Sequence, residues 1–211
     1  MDAALWSLAA GFALWYFFLS NGAASLLRSV VKTVPLLVLA LIAAQGGAPA
    51  GLTLAFCASA AGDLCLSRPG QRFFLAGMGF FAAAHVAFIS VFLATSGLTL
   101  WGSAADQPVL TVALIVLLLS TEFWLAPFAG DLKLPLRGYA LVIGAMALAA
   151  GGLPQGVNPA RIGAAMFVLS DLLIAVQMFR LNPPGWRFRA TGYALWSLYF
   201  MGQALILTAF V

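Results

Sequence analysis

Long apolar runs, separated by short stretches rich in glycine, proline or charge, divide the chain into eight segments. A helix needs about 20 mainly apolar residues to cross the hydrocarbon core of a bilayer. The segments lie at residues 3–19, 26–45, 50–66, 73–95, 108–125, 135–150, 160–179 and 190–210. Their lengths predict about eight transmembrane helices in an all-α membrane bundle. We expect residues 1–211 to form a single integral membrane domain.

Lysine and arginine are distributed unevenly between these segments. Arg161 follows an even-numbered segment, whereas the other nine follow odd-numbered ones: Arg28, Lys32, Arg68, Arg72, Lys133, Arg137, Arg180, Arg187 and Arg189. Connections rich in Lys and Arg stay on the cytoplasmic side of a membrane. The pattern therefore predicts cytoplasmic odd-numbered connections and places both termini on the non-cytoplasmic side.

Composition supports the same class of protein. Hydrophobic residues make up 64% of the chain and charged residues 8%, which is too little charge to cover a water-soluble domain. We expect a multi-pass protein of the cell membrane, specifically a bacterial inner membrane. The net charge of +4 follows from membrane orientation and does not indicate nucleic acid. One histidine and no Cys-x-x-Cys pair make a multi-histidine zinc site hard to assemble.

Two aspartates, Asp63 and Asp171, lie inside apolar helices. A carboxylate at the centre of a membrane helix costs roughly 2.5–3.5 kcal/mol on insertion scales, and such residues usually face a polar cavity where they serve a function. The alternative for each is a helix-packing carboxylate bonded to a neighbouring Ser, Tyr or Lys. The pair favours the functional interpretation.

His85 and Lys32 are the basic candidates. His85 shares a helix face with Phe74 and Phe81, and it either relays a proton or is a neutral histidine hydrogen-bonded between helices. Lys32 stands one turn before Pro35. Its ammonium either reaches the interface, pairs with one of the two aspartates, or contacts a phosphate, and the sequence leaves these open.

The remaining polar groups gather toward the cytoplasmic ends of their helices. They predict a cavity that opens toward the inner leaflet. Glu122 and Asp131 lie at the interface, and we expect both to be solvated. Four further hydrogen-bonding side chains either line the cavity or join helices: Tyr139, Ser170, Tyr199 and Gln203.

Several short motifs together resemble the YhhN-type lysoplasmalogenase family of multi-pass membrane proteins. Their order and spacing on successive helices carry the resemblance, which spans residues 32 to 203. The motifs are Lys32-x-x-Pro35, Gly62-Asp63, Phe74-x-x-Gly77-x-x-x-Phe81-x-x-x-His85, Gly163-x-x-x-Phe167-x-x-Ser170-Asp171 with Ala175, and Tyr199-x-x-x-Gln203.

The resemblance implies an enzyme that hydrolyses the alkenyl ether bond of lysoplasmalogens. The products are a fatty aldehyde and glycerophosphoethanolamine or glycerophosphocholine. No metal and no organic cofactor are implied, and the expected partner is a lysophospholipid of the inner leaflet.

The chemistry of that reaction suits the two acids. Protonating the alkene carbon creates an oxocarbenium ion, which water captures before the hemiacetal collapses. Glycosidases treat a similar transition state with two carboxyl groups, one acid and one carboxylate. Two aspartates close together in a low dielectric do not both ionise cheaply, so one stays protonated. We hypothesise that Asp63 and Asp171 form this pair, with His85 as relay and Lys32 near the phosphate. Which aspartate is the acid stays open.

Three other functions fit the same residues. A proton-coupled transporter of small molecules or lipids would also use intramembrane acids, although the two halves of the chain show no convincing repeat. A metal-dependent membrane hydrolase would need more ligands than one histidine and a few acids usually supply. A lipid-binding or scaffold protein without catalysis is the third.

Overall fold

The computed structural model describes residues 2–183 and 185–211, and within them it contains helices and no strand. Short 3₁₀ turns occupy Ala126–Phe128, Gly130–Leu132 and Gln155–Val157. The described α-helices are α1 (Ala3–Leu19), α2 (Leu26–Gln45), α3 (Ala50–Leu66), α4 (Gln71–Ser96), α5 (Leu100–Asp106), α6 (Pro108–Trp124), α7 (Lys133–Gly151), α8 (Asn158–Arg180) and α9 (Trp186–Thr208).

The predicted all-α architecture is confirmed. The first three predicted segments have the same bounds as α1, α2 and α3, and capping residues mark two of the helix starts. The Asp2 carboxylate accepts hydrogen bonds from the amides of Ala4 and Leu5, and the Ser25 hydroxyl accepts one from the amide of Arg28. Such side chains satisfy amides that have no partner inside the helix.

Helix α5 was not predicted. It lies in the longest connection between predicted segments. A helix of seven residues is too short to show a helical period of apolar positions. The Thr99 hydroxyl caps it by accepting from the amide of Gly102. The connection between α4 and α6 is therefore an ordered helical link.

Several helices are suited to crossing a membrane. Five stretches are long and apolar enough: 26–45, 71–96, 108–128, 130–151 and 155–180. Helices α1 and α3 are also apolar but contain 17 residues each. The chain is therefore a multi-pass membrane protein. The count of eight spans and the side on which the termini lie stay predictions.

Seven helices enclose the interior of the bundle. Each helix packs against the next in the series: α1 on α2, α2 on α3, α3 on α4, α4 on α7, α7 on α8 and α8 on α9. Helix α9 closes the ring by contacting α1 and α2. Helix α6 stands outside this ring and packs mainly on α7. All 17 of its residues belong to the described part of the chain, and none of them is buried.

The closest approach of two helices joins α8 to α9. A Cβ added at Gly163 would lie 2.4 Å from the carbonyl oxygen of Gly202, and one added at Gly202 would lie 2.7 Å from the carbonyl oxygen of Gly163. Small residues allow membrane helices to bring their backbones together in this way. The glycine pair therefore fixes α9 against α8 near the level of Phe167.

Candidate active site

Asp63 lies near the C-terminal end of α3, with a side chain that is 1% exposed. Its two oxygens have different partners on two other helices. The Lys32 ammonium, on α2, lies 3.0 Å from Oδ1, and the Tyr199 hydroxyl, on α9, donates to Oδ2 at 2.8 Å. A buried carboxylate needs such compensation because its charge has lost water. Asp63 therefore joins three helices through an ion pair and a hydrogen bond.

Asp171 lies on α8 and uses a second set of partners. His85 Nε2, on α4, lies 3.0 Å from Asp171 Oδ2. The Tyr139 hydroxyl, on α7, donates to the same oxygen at 3.2 Å and lies 3.3 Å from His85 Nε2. The three side chains therefore meet at one carboxylate oxygen. Oδ1 of Asp171 makes no hydrogen bond with a described residue, and the side chain is 10% exposed.

The protonated nitrogen of His85 can be assigned from its surroundings. His85 is fully buried, and its Nδ1 has no hydrogen-bond partner among residues 2–183 and 185–211. A buried N–H without a partner is rarer in proteins than an acceptor without one. We therefore assign the hydrogen to Nε2, which then donates to Asp171.

Both aspartates line one cavity, which we call the acid cavity. It is partly open to the surroundings, and its walls are mostly apolar. Side chains of α6, α7 and α8 extend it away from the carboxylates, among them Leu114, Leu118, Ile143, Val168 and Leu172. Within the described residues the two carboxylates do not bond to each other. Each has its own basic partner instead.

The other predicted site residues fall into two groups. Lys32, Tyr139, Ser170 and Tyr199 line the acid cavity together with the aspartates. His85 and Gln203 are fully buried behind its wall. The Gln203 amide nitrogen donates to the Ser59 hydroxyl at 3.0 Å, which joins α9 to α3 one turn from Asp63. These placements are geometric, and the roles of the residues stay predictions.

A sequence profile of the YhhN family matches residues 27–210. The chain belongs to the YhhN family. The family predicted from the sequence motifs is thereby confirmed. Neither a curated protein nor a solved structure matches the chain.

Aromatic rings hold the polar groups of this YhhN family member in place. The Phe167 ring lies 4.6 Å from the His85 ring and 5.3 Å from the Tyr199 ring, between centroids. Phe81 packs edge-on against both Phe167 and Tyr199, at 6.2 and 5.7 Å. Rings packed in this way have few alternative rotamers, so the two acid clusters are held at a fixed separation.

Sequence reasoning missed Tyr16 and Arg28. The Tyr16 ring lies 5.9 Å from the Lys32 ammonium and 5.5 Å from the Arg28 guanidinium. The Trp196 ring packs edge-on against the Tyr16 ring, with 4.3 Å between their centroids. The spacing of Arg28 and Lys32, four residues apart on one helix face, was the available signal.

Glu122 and Asp131 are the two acids that we expect to be solvated, and both reach the protein surface. Glu122 accepts a hydrogen bond from Arg137 Nε at 2.7 Å, and both side chains are exposed. Asp131 is exposed as well.

Throughout the described residues of this YhhN chain, no three His, Cys, Asp or Glu side chains are grouped to hold a metal ion.

Proposed function

We propose that this YhhN family member hydrolyses the alkenyl ether bond of lysoplasmalogens in the cytoplasmic leaflet of its membrane. The products are a fatty aldehyde and the glycerophospho headgroup. One observation carries the proposal: Asp63 and Asp171 line the same apolar cavity, and each has a basic partner of its own. This arrangement supplies two carboxyl groups that can differ in protonation.

The surroundings of Asp171 suit the general acid. Its Oδ2 receives His85 Nε2–H and the Tyr139 hydroxyl, while Oδ1 stays available to carry a proton toward the cavity. When Oδ1 gives that proton to the alkene carbon, the two donors stabilise the carboxylate that remains. His85 and Tyr139 thus act through Asp171, which touches the reacting atom.

The surroundings of Asp63 suit the ionised partner. The Lys32 ammonium at 3.0 Å favours the charged carboxylate, and Tyr199 donates to its other oxygen. Each carboxylate oxygen accepts more than one hydrogen bond, so the carboxylate retains capacity to accept a proton from water. The same negative charge stabilises the oxocarbenium ion formed by protonation, as in glycosidases.

Both carboxyl groups return to their starting states within one cycle. Asp171 protonates the alkene carbon, and water adds to the oxocarbenium carbon while Asp63 takes its proton. The hemiacetal then collapses. Asp63 gives its proton to the glycerol oxygen as the carbon–oxygen bond breaks, and Asp171 takes the hydroxyl proton as the aldehyde forms. One water is consumed, and no oxidant or reductant is needed.

The shape of the acid cavity suits a lipid with one hydrocarbon chain. Its apolar walls continue from the carboxylates toward Leu114 and Val168, deeper in the helices. An alkenyl chain that fills this space places its first carbons, next to the ether oxygen, beside the acids. Because the chain passes from the apolar bilayer into an apolar cavity, little hydrophobic free energy is gained, and the cavity serves to position the chain.

The proposal is tested by incubating the purified protein with a panel of lysolipids that share a headgroup. The panel contains an alkenyl, an alkyl and an acyl chain, and free aldehyde is measured by mass spectrometry. We expect aldehyde from the alkenyl lipid alone. Release from none of the three, together with uptake of unchanged lipid into vesicles that contain the protein, would establish the transporter instead.

A further inference from the structure

A second cavity, which we call the vestibule, adjoins the acid cavity. Seven of the described residues line both cavities, and Lys32, the ion-pair partner of Asp63, is the charged one among them. The vestibule is the more polar of the two, and Tyr16, Arg28 and Arg68 are among the residues that line only this cavity. A ligand that reaches from one cavity to the other therefore crosses a boundary to which Lys32 contributes.

The charges that face the vestibule do not balance. Arg28, Lys32 and Arg68 are its basic residues, and Asp131 is its acid. Lys32 is already paired with Asp63. Within the described part of the chain, neither Arg28 nor Arg68 forms an ion pair. The vestibule thus presents two guanidinium groups to one exposed carboxylate, which favours a bound anion.

Arg28 is held in a fixed orientation. Its Nε donates to the carbonyl of Leu19 at 3.2 Å, and its Nη2 donates to the carbonyl of Ser20 at 2.8 Å. Both carbonyls belong to the C-terminal end of α1. The guanidinium carbon also lies over the Tyr16 ring, 5.5 Å from the ring centroid. Nη1 makes no hydrogen bond with a described residue, and an oriented donor loses less entropy when it binds an anion.

We propose that the vestibule binds the phosphate diester of a lysophospholipid headgroup, with Arg28 and Arg68 as its donors. This proposal rests on the proposed function, because the glycerol must connect a phosphate in the vestibule to an ether bond beside Asp63. Arginine suits a phosphate because its donors match two phosphate oxygens at once. The phosphate contact that the sequence left open for Lys32 then belongs to the arginines.

The test compares two substrates that differ in the phosphate alone: an alkenyl lysophospholipid and the corresponding 1-alkenylglycerol. The informative variant is Arg68→Gln, because Arg68 is exposed and its side chain makes no hydrogen bond within the described residues, so its loss leaves the fold intact. We expect its KM for the phospholipid to rise about tenfold at unchanged kcat, the size of one charge-assisted hydrogen bond. Its KM for the 1-alkenylglycerol should not change.

Arg72→Gln is the matched control. Arg72 lies four residues after Arg68, in the first turn of α4, is exposed, has its guanidinium 5.1 Å from the centroid of the Phe73 ring, and lines neither cavity. It should behave as the wild type with both substrates. An equal effect of Arg68→Gln on the two substrates would overturn the proposal. So would an effect of Arg72→Gln on the phospholipid as large as that of Arg68→Gln.

A binding measurement separates this proposal from the proposed function. The probe is an alkyl lysophospholipid, which has no alkenyl bond to cleave, bound to the full-length protein in detergent. Weaker binding to Arg68→Gln supports the phosphate site even when the wild type releases no aldehyde. Equal binding to both proteins overturns the site. Inorganic phosphate that binds as tightly as the lipid would overturn the assignment to a headgroup.

Discussion

His85 Nε2 lies 3.0 Å from Asp171 Oδ2, although 86 residues separate the two side chains in the chain. Tyr139 reaches the same oxygen from a third helix. The histidine is fully buried and does not line the acid cavity, so its contact with a substrate runs through Asp171. The two aspartates therefore differ in their basic partners: Asp171 contacts the imidazole of His85, whereas Asp63 contacts the ammonium group of Lys32.

Replacing Asp171 by asparagine should remove activity and leave the protein folded. Asparagine has nearly the same shape but cannot deliver the proton, and a general acid contributes roughly 10²–10⁴-fold to a rate. We expect aldehyde release to fall by about a thousandfold. The control is Asp106→Asn, an exposed aspartate at the end of α5, which should retain full activity. Turnover by Asp171→Asn near the wild-type rate would refute the mechanism.

Removing the Tyr139 hydroxyl should slow the reaction without weakening substrate binding. In Tyr139→Phe the carboxylate of Asp171 loses one of two donors on Oδ2, which costs about 1.5 kcal/mol in the transition state. We expect kcat to fall about tenfold at constant KM, measured by steady-state kinetics. Tyr193→Phe is the matched control, because the Tyr193 ring packs at a tilt against Phe17 and lies outside both cavities. A change in KM alone would point to substrate contact.

The Lys32–Asp63 ion pair predicts an asymmetry between two stability changes. Lys32→Met leaves the Asp63 carboxylate, 1% exposed, without its cation, and we expect a loss of about 3 kcal/mol. Asp63→Asn should cost less, because the Lys32 ammonium is 11% exposed and can turn toward the vestibule. Unfolding in detergent, followed by circular dichroism, measures both.

The double variant Lys32→Met with Asp63→Asn completes the cycle. It should recover part of the stability lost in Lys32→Met, because no buried charge remains unpaired. It should not recover activity, since the carboxylate is absent. Additive losses in the double variant would show that the two side chains do not interact in the folded protein.

The glycine contact between α8 and α9 predicts a large effect from one methyl group. In Gly163→Ala the new Cβ would lie 2.4 Å from the Gly202 carbonyl oxygen, and backbone cannot move aside as a side chain can. We expect a loss of about 3 kcal/mol and a lower Tm. Gly79→Ala is the control, because no atom lies within 4 Å of its added Cβ. A Tm for Gly163→Ala equal to that of the control would contradict the close crossing.

Much of the fold followed from the sequence because membrane helices have a strong apolar signal. The positions of the eight predicted segments agree with eight helices to within about four residues at each end. The positions of Asp63, His85 and Asp171 along their helices followed from the same register. Helix α5 did not, since seven residues show no period of their own.

The pairing of the polar side chains could not be predicted in the same way. Sequence order does not reveal which helices are neighbours or how each is rotated about its axis. The sequence alone therefore leaves the partner of Lys32 open, and it predicts two neighbouring aspartates of which one stays protonated. The structure gives each aspartate a separate base, because α2 packs on α3 while α4 and α7 bring His85 and Tyr139 to α8.

The close backbone contact of α8 and α9 at Gly163 and Gly202 also determines which part of the bundle can move when a ligand binds in the interior. Because no side chain separates them at this point, α8 and α9 form one rigid unit. This unit carries Asp171 and also Tyr199, whose hydroxyl donates to Asp63. Widening the cavity between Asp171 and Tyr199 would require separating α8 from α9. A bound ligand is therefore accommodated by movement of α6, whose residues are all at least partly exposed.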